Sequence, residues 1–345
     1  MQCFVSSQRL LVIAIFIFLS LISADVYAQS SSANEASLES IFEQAEEISS
    51  LRSVLIQQNG DLLGEEYFRN ATPDHPYNIK SASKSVISLL TGIAVDQGEI
   101  SIDETLDDYF PEYFDQNPDS VKANITIRQL LSMQAGLETT SFYNYGRWAI
   151  SDNWVEFQLD QPMTEEPGGK MVYSTGISHL LSVIITKASG MSTQQFANRY
   201  LFDPLDIQPG GWDRDPQGYY MGGNNLALTP QALLKIGQLM LNGGEYNGQR
   251  IVSKKWVRDS FGSYTRSNFN PYNYGYMWWN REVGGQQVFF AWGFGGQYIF
   301  MIPELDAVVV MTSFLDRATQ RRTYKEPVFT LLEESILPLL EQQSL

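Results

Sequence analysis

The sequence predicts an α+β fold: an antiparallel sheet built from both chain ends and flanked by helices, joined to a mainly helical lobe. Short β-branched and aromatic runs lie near both ends, whereas the long middle carries helical spacing. Isolated hairpins are only marginally stable, so strands from the two ends are expected to pair in one sheet. The 345 residues, 43% of them hydrophobic, suffice to bury the core of such a fold.

The first and last elements follow from local patterns. A helix is predicted over residues 37–50, where apolar residues recur on one face. Two apolar runs then flank Asn59-Gly60, a dipeptide typical of hairpin turns. Near the other end, "QQVFFAWG", "QYIFMIP" and "AVVVMTSF" read as strands separated by turns, and "PVFTLLEESILPLLEQ" reads as a closing helix.

The middle of the chain is predicted to be mainly helical. The runs "TIRQLLSMQAG", "GISHLLSVIITKASG" and "TPQALLKIGQLMLNGG" have helical spacing, and each ends in glycine, a common C-terminal cap. One domain is therefore expected over residues 37–345. Within it we predict an α/β lobe from residues 37–80 and 258–345 and a helical lobe from residues 81–257.

The N-terminus has the pattern of a signal peptide over residues 1–28. A positive residue, Arg9, precedes an apolar run and a small-residue cleavage pattern that ends at Ala28, and residues 29–36 form a polar lead-in. The apolar run is shorter than the roughly 20 residues that a spanning helix needs, which favours cleavage over an uncleaved anchor. Cys3, the one cysteine, would leave with the signal. We therefore expect a cysteine-free mature protein that is periplasmic or secreted in a bacterium.

Composition excludes several partners. A formal net charge of −16 disfavours nucleic acid and anionic membrane surfaces as partners of the mature chain. Two histidines and one cysteine are too few for a zinc site, so no metal and no cofactor are expected. The sequence leaves the oligomeric state open.

The segment "NIKSASKSV" carries the first candidate chemistry. Ser81 and Lys84 lie three residues apart, which places both side chains on one face of a helix, one turn apart. Ser81 would sit at the positive end of that helix, where backbone N–H groups stabilise a developing oxyanion. Serine is also a common N-cap, so S-x-x-K alone is a weak motif.

Two further segments extend this pattern. Tyr173-Ser174-Thr175 is predicted on a loop directly before an apolar helix. In "FFAWGFGGQYIFMIP" a strand runs into Gly293, and a second strand follows two further glycines. A strand after the glycines rules out a dinucleotide-binding motif, which requires a helix there. Glycines at a strand end more often allow another backbone or a ligand to approach.

Together these segments resemble the serine β-lactamase and penicillin-binding superfamily. The resemblance extends over about residues 55–310 and includes "TIRQLLSMQAGL", "YSTGISHLLS", "YGYMWW" and "GFGGQYIFMIPELDAVVV". The motifs are most similar to those of 6-aminohexanoate-dimer hydrolases and family VIII esterases, within the branch of class C β-lactamases. The resemblance implies a β-lactamase/transpeptidase-like fold.

The resemblance also implies roles for individual residues. Ser81 would be the nucleophile, Lys84 its helical partner, and Tyr173 the tyrosine of the family's Tyr-x-Asn motif. The backbone N–H groups of Ser81 and Phe294 would form the oxyanion hole. Substrate-binding positions would be Thr175, Trp292 and Gly293.

Two positions depart from the family pattern. Thr175 stands where the motif has asparagine, and Ala291 stands where relatives carry the lysine or histidine that helps to hold a substrate carboxylate. These changes leave the acylation residues in place but make hydrolysis of penicillins doubtful. They favour an esterase or small-amide hydrolase.

The function expected from the sequence is an exported serine hydrolase that cleaves a small ester, amide or lactam through an acyl-serine. The alternative is a penicillin-recognising or peptidoglycan-binding sensor, or a D-alanyl-D-alanine carboxypeptidase-like protein, with little turnover. Lys84 and Tyr173 both titrate near pH 10 when free in water, so burial or a neighbouring charge must shift one of them, and the base stays unassigned. A Ser-His-Asp triad would require His75 or His179 to face Ser81, and a structural role for both is favoured.

Overall fold

The computed structural model describes residues 36–314 and 325–344, so the predicted signal peptide lies outside the described residues. The helices are α1 (36–47), α2 (Ser83–Asp96), α3 (Leu106–Tyr109), α4 (Pro111–Gln116), α5 (Ser120–Ala123), α6 (Ile127–Leu131), α7 (Tyr145–Ala149), α8 (Trp154–Leu159), α9 (Thr175–Ser189), α10 (Thr193–Ala197), α11 (Pro230–Leu241), α12 (Lys254–Ser260), α13 (Lys325–Leu331) and α14 (Leu337–Gln343).

The strands are β1 (Leu51–Gln58), β2 (Asp61–Tyr67), β3 (Tyr77–Asn78), β4 (Gly211–Trp212), β5 (Leu226–Leu228), β6 (Glu245–Tyr246), β7 (Gln249–Arg250), β8 (Thr265–Arg266), β9 (Asn273–Tyr274), β10 (Trp279–Val283), β11 (Gln286–Gly293), β12 (Gln297–Ile302) and β13 (Ala307–Ser313).

Both chain ends contribute to one antiparallel sheet of eight strands in the order β2-β1-β13-β12-β11-β10-β9-β8. The Asn59-Gly60 hairpin joins β1 to β2, and both residues take the positive φ (52° and 83°) that a tight two-residue turn requires. β1 then pairs with β13 from the far end of the chain. The predicted α+β architecture is confirmed.

The central strands are the most buried because both faces of the sheet are covered. Every residue of β12 and β13 is buried. On one face α11 packs closely, since a Cβ at Gly237 would lie 2.5 Å from Val308 Cγ1. On the other face the Phe329 ring of α13 lies 5.5 Å from the Phe300 ring of β12. Removing this apolar surface from water stabilises the sheet.

The residues between the strands of the two ends are mainly helical, as predicted, and α2 packs against α9 at their centre. Burial of nearly the whole of α2 explains its apolar sequence. Gly190 ends α9 in the left-handed conformation, with a φ of 67°, as the terminal glycine indicated. The division into an α/β lobe and a helical lobe stays a prediction.

One predicted helix is shorter than its pattern indicated. The run "TIRQLLSMQAG" forms only α6 and ends at Leu131. Met133 and Gly136 have positive φ angles of 59° and 80°, which a helix does not allow. The backbone turns there to meet another segment, because a Cβ at Gly136 would lie 2.2 Å from the carbonyl oxygen of Glu165.

Candidate active site

Ser81 lies in a short 3₁₀ turn, Lys80–Ala82, which leads directly into α2. Lys80 has a left-handed φ of 54°, uncommon for a residue with a side chain. The side-chain oxygen of Asn78 accepts a hydrogen bond from the Lys80 N–H at 2.9 Å and supports this turn. The turn therefore holds the Ser81 hydroxyl at the positive end of α2.

Lys84 is almost completely buried, with 1% of its surface exposed. Its Nζ atom lies 2.8 Å from the carbonyl oxygen of Gly223, 3.3 Å from Ser81 Oγ and 3.3 Å from Thr175 Oγ1. Burial lowers the pKa of Lys84 to about 7. A lysine in this state can give and take a proton near neutral pH.

The space around the Lys84 amine depends on a glycine. A Cβ at Gly223 would lie 2.2 Å from Ser178 Oγ and 3.1 Å from Lys84 Nζ, so a side chain there would displace the amine or its neighbours. Gly222 is equally confined, because its Cβ would lie 2.1 Å from the carbonyl oxygen of Ser178. The Gly222-Gly223 pair thus lets its backbone reach the lysine at hydrogen-bonding distance.

Tyr173 lies directly before α9, as predicted, and is buried, with 9% exposed. Its ring centroid is 5.0 Å from Lys84 Nζ, and the ring stacks on Trp279 at 5.8 Å. Thr139 Oγ1 donates to the Tyr173 carbonyl oxygen at 2.6 Å and so fixes this backbone. Ser81 and Tyr173 therefore both lie beside the amine of Lys84.

The end of β11 lies beside the Ser81 turn. A Cβ at Gly293 would lie 2.0 Å from the carbonyl oxygen of Ile79, so only glycine permits this approach. Phe294 follows and, together with Lys80, borders a cleft of about 290 Å³. The cleft is lined by His75, Pro76, Tyr77, Asn78, Lys80, Phe294, Gln297, Ser313 and Phe314. The cleft therefore lies next to the Ser81 turn, although Ser81, Lys84 and Tyr173 do not line it.

Ala291 and Trp292 lie on opposite faces of β11, just before Gly293. Side chains alternate along a strand, so Ala291 shares a face with Gly293 while Trp292 points the other way. Ala291 is fully buried. The Trp292 ring lies 5.7 Å from Trp279, which in turn stacks on Tyr173, and Lys325 Nζ lies 3.9 Å from its centroid. Trp292 is thus one ring removed from Tyr173, and its contact with substrate stays a prediction.

The histidines occupy other positions. His179 Nε2 lies 2.9 Å from Asp215 Oδ2 in the buried interior, and the Gly222 N–H donates to His179 Nδ1 at 3.4 Å. Both ring nitrogens of His179 are therefore engaged away from Ser81. The His75 ring packs against Tyr77 at 4.7 Å and borders the cleft.

Several residues of this site were not identified from the sequence. Gly223 and Ser141 both lie within the hydrogen-bonded network of Lys84 and Thr175. The Asn78 side chain also donates to Asn225 Oδ1 at 2.9 Å, which ties the Ser81 turn to the loop that carries Gly223. The run "MGGNN" (221–225) is the one available indication, since paired glycines outside a hairpin suggest a close approach.

Residues 36–314 and 325–344 present neither a metal-binding cluster nor a membrane-spanning helix. Within these ranges no group of three or more His, Cys, Asp or Glu side chains could hold a metal ion. Within the same ranges, no helix combines the length and the apolar character needed to cross a bilayer.

Comparisons with known proteins place the chain in a family. The model of the beta-lactamase family matches residues 38–328. The 6-aminohexanoate-dimer hydrolase of Paenarthrobacter ureafaciens is 24% identical over 291 residues, which cover 75% of this chain and 71% of that protein. Esterase EstB of Burkholderia gladioli is 23% identical over 173 residues, 46% of this chain and 44% of its own.

Solved structures share the fold. A penicillin-binding protein homologue from Pyrococcus abyssi superimposes with a TM-score of 0.69 at 19% identity and covers 88% of this chain and 77% of its own. At this identity the likeness concerns the fold.

Proposed function

The chain belongs to the beta-lactamase family, and from that premise we propose that it is an exported serine hydrolase that forms an acyl-serine on Ser81. The family and its hydrolase relatives support a hydrolase of the esterase or amidase type. The proposed substrate is a small ester, amide or lactam.

One observation carries the proposal: a buried amine lies 3.3 Å from a serine hydroxyl at the start of a helix. Among the described residues Lys84 has no salt-bridge partner, so the protein bears the cost of burying it without the charge pairing that would offset that cost. Perturbed ionisable groups of this kind cluster at catalytic sites.

The proposed reaction begins with neutral Lys84. Its lone pair accepts the Ser81 proton while Ser81 Oγ bonds to the substrate carbonyl carbon. The carbonyl oxygen becomes an oxyanion, which the N–H groups of Ser81 and Phe294 and the positive end of α2 would stabilise. The Lys84 ammonium returns the proton to the leaving oxygen or nitrogen as the bond to carbon breaks.

Water then attacks the acyl-serine carbonyl carbon while the neutral Lys84 amine accepts the water proton. The resulting ammonium passes that proton to Ser81 Oγ as the bond from Oγ to carbon breaks, which releases the acid and regenerates Ser81. Tyr173, whose ring lies 5.0 Å from Lys84 Nζ, is the proposed partner that passes the proton between amine and leaving group.

Ala291 limits the proposed substrates. A fully buried alanine supplies no cation to this face of β11. Exposed rings at the Tyr173 side, including Phe142 and Phe269, offer apolar contacts instead. Uncharged esters and small uncharged amides are therefore favoured over carboxylate-bearing penicillins.

The proposal is tested with a substrate panel of chromogenic short-chain esters, linear 6-aminohexanoate amides and β-lactams. We expect turnover of esters or amides and weak turnover of penicillins. If a β-lactam forms a stable adduct and no compound turns over, the protein is a sensor and the hydrolase proposal is wrong.

The export part of the proposal rests on residues 1–28 alone. Expression in a Gram-negative host, followed by mass measurement of the periplasmic protein, should give a mature chain that begins at Gln29. An intact N-terminus in the cytoplasm would contradict export.

We expect activity to fall on the acid side of neutrality. Burial lowers the pKa of Lys84 to about 7, and only the neutral amine can accept the Ser81 proton. Below pH 7, kcat/KM should therefore decrease about tenfold per pH unit. The measurement is a pH–rate profile on an uncharged ester, with circular dichroism at each pH as the control for unfolding. A profile that stays flat down to pH 5 would contradict Lys84 as the base.

A further inference from the structure

The hydroxyl of Ser141 adjoins the site without contacting Ser81 or Lys84. Ser141 Oγ lies 2.8 Å from Thr175 Oγ1 and also accepts the Thr175 backbone N–H at 2.9 Å. Both residues are buried, with 5% and 3% exposed. Thr175 Oγ1 in turn lies 3.3 Å from Lys84 Nζ, so a chain of hydroxyl groups leads from Ser141 to the amine.

The protonation state of the Lys84 amine determines whether Thr175 Oγ1 donates or accepts a hydrogen bond. A protonated amine has three N–H donors, which match Ser81 Oγ, Gly223 O and Thr175 Oγ1. A neutral amine has two N–H donors and one lone pair. The lone pair can face Ser81 only if the two donors go to Gly223 and Thr175. Whether the Lys84 amine is protonated or is neutral with its lone pair toward Ser81, Thr175 Oγ1 must therefore accept a hydrogen bond from it.

If the Thr175 hydroxyl accepts a hydrogen bond from Lys84, its own O–H must donate to a different acceptor. Among the described residues, Ser141 Oγ, 2.8 Å from Thr175 Oγ1, is positioned to accept that proton. Its position is fixed by the Thr175 N–H. Without Ser141, the Thr175 O–H would donate a hydrogen bond to the lone pair of neutral Lys84. It would then compete with the Ser81 hydroxyl for that lone pair.

We propose that Ser141 is a positioning residue that keeps the Thr175 hydroxyl in its accepting orientation and so directs the Lys84 lone pair at Ser81. This inference rests on the proposed function. It explains how threonine stands where the family motif has asparagine: an amide oxygen accepts by nature, whereas a hydroxyl needs a partner for its proton.

The test is a double-mutant cycle of Ser141→Ala and Thr175→Asn, with kcat/KM measured on an ester that the wild-type protein turns over. Ser141→Ala alone should lower kcat/KM about 3- to 10-fold, the rate equivalent of one hydrogen bond between uncharged groups. In the Thr175→Asn background the same change should alter kcat/KM less than about twofold, because the amide oxygen needs no partner.

Ser182→Ala is the matched control. Ser182 is also buried, and its hydroxyl also lies 2.8 Å from a threonine hydroxyl, that of Thr193, but it does not contact Lys84. This variant should keep the wild-type kcat/KM. Thermal melting of each variant reports stability, which a purely structural role of Ser141 would lower equally in both Thr175 backgrounds.

The outcomes separate the two proposals. A wild-type protein that turns over no ester, amide or lactam overturns the proposed function and this inference with it. An active wild type overturns the inference alone if Ser141→Ala has no effect, if it has an equal effect in both backgrounds, or if Thr175→Asn is inactive. If Ser141→Ala does not fold, Ser141→Cys replaces it in the cycle, because it keeps a side chain of similar shape but is a weak hydrogen-bond acceptor.

Discussion

Ser81→Ala is expected to lower kcat/KM for any substrate by about 10⁴-fold or more, the size of loss found when an acylated serine is removed. The reason is that no covalent intermediate can form once Oγ is absent, although the buried Lys84 amine and the end of β11 remain. The measurement is steady-state kinetics on the best ester or amide of the panel.

The control for this variant is Ser88→Ala. Ser88 lies on the same helix and is also fully buried, and its hydroxyl has no hydrogen-bond partner among the described residues. This change should leave kcat/KM near its wild-type value. Equal activity of Ser81→Ala and Ser88→Ala would show that the nucleophile lies elsewhere.

Lys84→Met is expected to lower kcat by about 10³-fold or more, since it removes the proton acceptor while keeping an unbranched side chain of similar length. The loss should appear in kcat more than in KM, because Lys84 acts on the proton of Ser81 rather than on substrate binding. Retention of more than a tenth of the wild-type kcat would contradict Lys84 as the base.

The same variant should change how stability depends on pH. Burial lowers the pKa of Lys84 from 10.5 to about 7. Below pH 7 both the folded and the unfolded chain hold this proton, and the folded state bears the full cost of the buried charge. Between pH 7 and 10.5 only the unfolded chain keeps it, so wild-type stability relative to Lys84→Met should rise with pH by about 1.4 kcal/mol per unit. Urea unfolding at pH 7 to 9 measures this slope.

The sheet was predictable because its signals are local. Asn59-Gly60 requires positive φ at both positions, and the runs at the far end alternate or are wholly buried as strands of a covered sheet should be. The end of α6 was not predictable in the same way. The helix ends at Leu131, Met133 takes a left-handed φ, and Gly136 meets the carbonyl oxygen of Glu165, a contact that helical periodicity does not encode.

The candidate site likewise contains residues that local sequence patterns predict and residues that only the fold brings together. The spacing of Ser81 and Lys84 on one turn is local and was read from the sequence. The carbonyl of Gly223, which holds the Lys84 amine, lies 139 positions further along the chain, and only the packed fold brings it there. Ser141 could not be predicted, because a serine in a loop has no distinguishing sequence pattern and its contact with Thr175 is visible only in the structure.

The central claim is that Ser81 is a nucleophile activated by Lys84, and intact-protein mass spectrometry after incubation with a fluorophosphonate tests it most directly. The wild-type protein should gain the mass of one phosphonyl group, mapped to the peptide that contains Ser81, and Ser81→Ala should gain none. An unmodified wild-type protein, or a label that persists in Ser81→Ala, would contradict the claim.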